Sequence, residues 1–305
     1  MKIIDVHNHL YPKEWMEYLA KRKTSPTMQR TGPTNFVMYH KGLRLATISM
    51  PGHYDWKPRV ADMEKYGIDI QMVSLTAPGV ELLPKAEGVA WAKKINDHLA
   101  EACRKYKGRF YALAALPYQD VKASVKELER AYKELDVKGI TIFSNLAGKP
   151  IYLKEFLPIY EAAEAYDLPI FMALTGLIFE GVFEKFPKLK MIHAHLGGVF
   201  PYMVGRINDC FYTYQKDFGY SLSQDPSEYY RKNVWVDAIS FHLPAMKCCI
   251  DYMGVDHLLV GTDYAHPIGG PDKVGRFVND LKLPKKDVEK IFWKNAAKLF
   301  NLKEV

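Results

Sequence analysis

Two histidines one residue apart end a short apolar run near the amino terminus, in IIDVHNH from Ile3 to His9. Residues i and i+2 of a β-strand share a face, so if this run is a strand the imidazoles of His7 and His9 can converge on one point. Histidines and acids recur where other apolar runs end: His193 and His195 in KMIHAH, Asp237 in VWVDA, and Asp263 followed by His266 in VGTDYAHP. Imidazole nitrogens joined by a carboxylate form a borderline ligand set, suited to Zn²⁺ and open to Mn²⁺, Fe²⁺ or Ni²⁺. A metal ion so held polarises a carbonyl or carboxylate and lowers the pKa of bound water to ~7, while an imidazole titrates near neutrality and can shuttle a proton. Each of these residues has a bland explanation on its own, such as a histidine bonded to backbone or an aspartate capping a turn. Together they describe a site.

Such a site needs a scaffold that gathers strand ends. Eight β-rich apolar runs begin at Lys2, Ile68, Arg109, Val137, Leu168, Lys190, Val234 and Leu258, and helical patterns fill the gaps between them, for example Val121 to Leu135. Alternation of this kind signals repeated βα units and a parallel sheet. Eight units predict an α/β fold of the (β/α)₈ barrel type, in one domain over 1–305, with the active site at the carboxyl ends of the strands. Residues 10–60 are an insertion after the first strand, with a hairpin expected in VMYH-KG-LRLATI that turns at Lys41-Gly42. An insertion there is expected to lie over the catalytic face as a lid. Its aromatic residues, including Trp15, Tyr18, Phe36, Tyr39, Tyr54 and Trp56, suit either a planar substrate or the core.

The bulk composition excludes more than it assigns. A hydrophobic share of 48% and a charged share of 25% in 305 residues are those of an ordinary globular chain with a large core. Lys and Arg number 42 against 35 acids, but they are scattered along helices among the acids, which argues against a nucleic-acid partner. Cys103, Cys210, Cys248 and Cys249 have no metal-type spacing and read as reduced, mostly buried thiols. No apolar stretch approaches the ~20 residues of a membrane span, and MKIIDVH runs directly into a strand without a signal peptide. A cytoplasmic protein with no membrane partner is expected.

The stretches IDVHNH, FEKFPKLKMIHAHLGGVFPYMVGRI and VGTDYAHP resemble the first, sixth and eighth strand motifs of the amidohydrolase superfamily. The resemblance is to the amidohydrolase-related branch that includes aminocarboxymuconate semialdehyde decarboxylase and γ-resorcylate decarboxylase. It runs nearly the full length and is most specific from Phe183 to Arg206. It implies a distorted (β/α)₈ barrel holding one divalent metal ion, Zn²⁺ first among the candidates, and often a homodimer. By the same resemblance His7 and His9 are metal ligands and Asp263 is a ligand that can also accept a proton. His195 stands beside the metal to polarise substrate or move a proton, Arg206 pairs with a substrate carboxylate, and His266 lies at the substrate.

One departure from the pattern bears on the ligand set. The branch usually has a further metal histidine at the end of the fifth strand, and in PIFMALTG that position is Ala173. His193 precedes His195 by two residues, so on a regular strand both would point into the barrel. The vacancy on one strand beside an extra histidine on the next predicts that His193 or His195 completes a site with His7, His9 and Asp263. The leading expectation is a non-oxidative decarboxylase of a small planar or aromatic carboxylic acid. A lactone or amide hydrolase, with or without metal, and a non-catalytic ligand-binding barrel stay open at this point.

Overall fold

All eight apolar runs form strands in the computed structural model, which describes residues 1–303 except 144, 147, 173 and 174. In chain order the strands are β1 (Ile4–His9), β2 (Thr27–Arg30), β3 (Phe36–His40), β4 (Leu43–Ile48), β5 (Ile70–Ser74), β6 (Phe110–Ala114) and β7 (Gly139–Thr141), then β8 (Asn145–Leu146), β9 (Lys149–Pro150), β10 (Ile170–Met172), β11 (Met191–His193), β12 (Val234–Asp237) and β13 (Leu258–Leu259). One eight-stranded sheet runs β1-β5-β6-β7-β10-β11-β12-β13, and its neighbours pair in parallel. Bridges from Asp5 to Val260 and from Asn8 to Tyr264 close the sheet on itself. The chain is a distorted (β/α)₈ barrel, and closure lays the segment after β13 directly beside β1.

Side chains sort by the two-residue period of the strands. Ile4, Val6, Ile70, Met72, Leu113, Phe171, Ile192 and Leu259 form an inner cluster with Leu299, which ends the last helix, and Phe300, which follows it. Val73, Ala112, Ile140, Ile170, Met191, Val236 and Leu258 belong instead to the larger core beneath the outer helices. Pairing of β1 with β5 shifts between Asp5 and Asn8, where β1 holds one extra residue. A bulge of this kind changes which residues face inward. Ile4 and Val6 therefore lie in the barrel floor, and beyond the bulge His7 also faces inward, its ring 4.6 Å from that of Phe171.

The insertion has its own order. Strands β2, β3 and β4 form an antiparallel sheet, and the hairpin turns where the sequence predicts, through Lys41 (φ 49°) and Gly42 (φ 79°). Positive φ at both central residues is what a tight turn between twisted strands requires. Trp15 is fully buried in the outer core and packs against Tyr18 and Trp91, so it is a core residue. Among the helices, Val121–Leu135 has the bounds read from its periodicity, and the Asp120 side chain caps it by accepting from Ala123 N. Cys249 is buried while the other three cysteines are half-buried, and all four are free thiols. The expectation of mostly buried thiols thus holds for Cys249 alone. No described helix is long and apolar enough to cross a membrane.

Candidate metal centre

Barrel closure brings two ends of the chain to one point. His7 Nε2 and His9 Nε2 lie 3.1 Å apart, and Asp263 Oδ1 lies 3.5 Å from the first and 3.4 Å from the second. Residues His7, His9 and Asp263 are the one group among the described residues whose ligating atoms all lie within 4.8 Å of one another. They are 3%, 6% and 5% exposed, so the cluster is largely shielded from bulk water.

The tautomers follow from the other ring nitrogens. His7 Nδ1–H donates to Asp237 Oδ2 at 2.7 Å. Ser74 Oγ–H donates to Asn8 O, which leaves its lone pairs to accept from His9 Nδ1–H at 3.3 Å. Both Nε2 atoms therefore turn bare lone pairs toward a carboxylate oxygen, an arrangement that repels itself unless a cation sits among the three. The point equidistant from them lies about 1.9 Å from each, close to the ~2.0–2.2 Å of metal bonds to imidazole and carboxylate. The donor set fits a divalent ion.

Electrostatics agree. Burial drives the His9 imidazole down to about 3 and keeps it neutral. Burial opposes charge on Asp263, yet the surrounding histidines outweigh it and hold its carboxyl down to about 2, as a cation at that point also would. Burial also opposes charge on His7, but the Asp237 bond and charge outweigh it and raise its pKa. Asp237 carries no role in the sequence motifs, yet it is the organiser of the site. It is fully buried and accepts from His7 Nδ1, from the backbone N–H groups of His195 and Leu196, and from Ile239 N. Gly261 makes room for this contact, since a Cβ there would lie 2.9 Å from the Cβ atoms of both Asp237 and His7.

His195 stands in a left-handed turn after β11, with φ 55° at His195 and at Leu196. Its ring is exposed and 5.1 Å from that of His7. Non-glycine residues rarely adopt this conformation, and Asp263 (φ 57°) adopts it too. The next residue but one, Gly197, has φ 74°, and a Cβ on it would meet Tyr230 Oη at 2.3 Å. Tyr230 also decides the place of His193, whose Nδ1 lies 2.9 Å from Tyr230 Oη. Met191 belongs to the outer core and Ile192 to the inner one, so His193, two residues after Met191, faces outward to the helices. The sequence expectation that His193 joins the ligand cluster is corrected here: β11 ends at His193, and the parity of the strand turns it away from the barrel interior.

His266 is half-buried, with its ring 5.0 Å from that of His9. Arg206 is exposed in the helix Phe200–Phe218 and makes no ion pair among the described residues. Ala173 lies outside the described residues. Sequence reasoning also missed His53, which lies fully buried in the insertion with its ring 5.0 Å from that of His266, and Arg59, which is fully buried behind β1. The polar Asp5 and Asn8 within an apolar strand were the available signal for Arg59, because buried polar groups need partners.

Comparison with known proteins adds a lineage. A family model described as Amidohydrolase matches residues 4–302. A 2-amino-3-carboxymuconate-6-semialdehyde decarboxylase of Dictyostelium discoideum is 29% identical over 306 residues, covering 87% of this chain and 82% of that protein. A γ-resorcylate decarboxylase of Polaromonas is 28% identical over 284 residues, covering 80% of this chain and 86% of that one. Among solved structures, the 5-carboxyvanillate decarboxylase of Novosphingobium aromaticivorans, complexed with manganese and 4-hydroxy-3-methoxy-5-nitrobenzoic acid, superposes with a TM-score of 0.86 at 25% identity, covering 99% of this chain and 96% of that one.

Proposed function

The chain belongs to the amidohydrolase family, and from that premise we propose that it is a metal-dependent, non-oxidative decarboxylase of a small planar or aromatic carboxylic acid. The observation that carries the reading is the convergence of His7, His9 and Asp263 at the strand ends, beside the exposed His195 and half-buried His266 that mark the accessible side. The decarboxylase activity of the similar proteins supports it.

His7, His9 and Asp263 would hold the ion. When bound it supplies Lewis acidity toward the carboxylate and its neighbouring oxygen. Zn²⁺ and Mn²⁺ both suit two imidazoles and a carboxylate, and Mn²⁺ is the ion in the carboxyvanillate enzyme. Asp263, held ionised, is suited to ligation. His195, with its backbone N–H fixed on Asp237, is suited to delivering the proton. As the bond between the ring or chain carbon and the carboxylate breaks, CO₂ departs, the bonding pair stays on carbon, and the proton joins that carbon. Arg206 supplies a cation for a substrate carboxylate. A second copy of the chain is the natural partner for the helix Phe200–Phe218, where Tyr202 and Tyr212 are exposed.

The test is CO₂ release by the Mn²⁺-loaded protein from 2,6-dihydroxybenzoate, 5-carboxyvanillate and 2-amino-3-carboxymuconate-6-semialdehyde. Turnover of at least one is expected. Hydrolysis of a lactone or ester panel with no CO₂ from any acid would overturn the reading.

A further inference from the structure

The imidazole of His53 is fully buried, and neither of its ring nitrogens has a hydrogen-bond partner among the described residues. Native proteins seldom leave such a group unpaired, because its desolvation is then uncompensated. The position is also firmly held. His53 O accepts from Tyr11 N at 2.7 Å and His53 N donates to Met50 O at 3.0 Å, which ties this turn of the insertion to the chain just past His9. The His53 ring meets that of His266 edge-on at 5.0 Å, and His266 lies 5.0 Å from His9. No hydrogen bond reaches the His266 ring among the described residues either.

We propose that His53 and His266 form an oxygen-binding subsite beside the metal centre, which takes a hydroxyl or second carboxylate substituent of the planar acid. A neutral imidazole presents one N–H and one lone pair, the complement of a hydroxyl, and its N–H serves a carboxylate. A second metal ion is the weaker occupant. The two rings bring two ligands, and no acid or further imidazole joins them within ligating distance among the described residues, whereas protein metal sites draw three or four. His266 is half-buried and gives the side from which a ligand arrives. The insertion thus contributes a recognition group to the site.

The choice of probes rests on the decarboxylase reading. Calorimetric titration of the Mn²⁺-loaded protein with 2,6-dihydroxybenzoate and with benzoate measures the preference conferred by the hydroxyls. Wild type is expected to prefer the dihydroxy acid by about tenfold or more, the worth of a hydrogen bond to a buried polar group. His53→Phe is expected to cut that ratio about tenfold with Mn²⁺ content unchanged, leaving the share owed to the hydroxyl at the ion, and His53→Gln to cut it less. If His53→Phe fails to fold, His266→Phe gives the same readout from the more accessible ring. An undiminished preference in the folded variants overturns the subsite and leaves the decarboxylase reading intact. A second Mn²⁺ per chain that disappears in them overturns it in favour of a metal pair. Wild type that binds neither acid overturns the subsite, while the decarboxylase reading falls only if no CO₂ is released from the other acids either.

Discussion

At the scale of single residues, the strongest device is the carboxylate of Asp237 behind His7. It fixes the ring tautomer, and the same oxygen, Oδ2, accepts from the backbone N–H of His195. Asp237→Asn keeps the shape but loses the charge and one acceptor atom. Metal affinity is expected to fall ~10–100-fold, the usual cost of a lost outer partner, as measured by competition with a chelator of known affinity. His193→Phe is the control, because His193 faces Tyr230; it should leave metal affinity unchanged. His7, His9 and Asp263 were legible in the sequence because motif and spacing both point to them. The outward turn of His193 was not, since it depends on where β11 ends and on which parity its neighbours take. His53 was equally hidden, because a lone histidine within an insertion carries no period and no motif.

At the scale of elements, the helix Trp56–Tyr66 anchors the metal strand from behind. Arg59 donates to Gln71 Oε1 at 2.8 Å, Asn8 Oδ1 at 2.5 Å, His9 O at 2.8 Å and Gly52 O at 2.9 Å. Gln71 in turn donates to Asp5, whose carboxyl burial pushes up to about 6. One planar fork thus joins the insertion, β1 and β5, a geometry that an ammonium cannot reproduce. Arg59→Lys leaves two or more buried acceptors unpaired, and a loss of ~2–4 kcal/mol is expected, read from the midpoint of urea unfolding. The period-2 and period-3.6 patterns revealed the strands, the helix Val121–Leu135 and the Lys41-Gly42 hairpin. The bulge in β1 escaped them, because IDVHNH reads as regular alternation.

At the scale of the whole molecule, the eight alternating units made the barrel legible, whereas its response to pH rests on burial that no pattern displays. Glu81 follows β5, is 6% exposed, and burial raises its carboxyl from 4.5 to about 7. A raised folded-state pKa means that the native chain holds a proton which the unfolded chain gives up. The corresponding stability is therefore complete below pH 4.5, fades as pH rises toward 7 and is gone above it. Glu81→Gln should remove this dependence. Relative to wild type the variant should gain on the order of 2–3 kcal/mol between pH 4.5 and pH 8, seen as a widening gap between the two urea midpoints. A constant gap across that range would exclude the protonated carboxyl.

The seam between the first strand and the segment after the last has a consequence for biosynthesis. Thr262 bonds Asp5 across 257 residues, and Asp263 reaches His7 and His9 across the same seam. On the ribosome the two histidines emerge long before the aspartate that completes their site, and contacts of such long sequence separation form late. A nascent chain therefore exposes an incomplete chelator that binds an ion weakly, and tight capture waits until the seam has closed. Metal uptake thereby reports that the ring is finished, and a chain released short of Asp263 holds no ion to keep it folded.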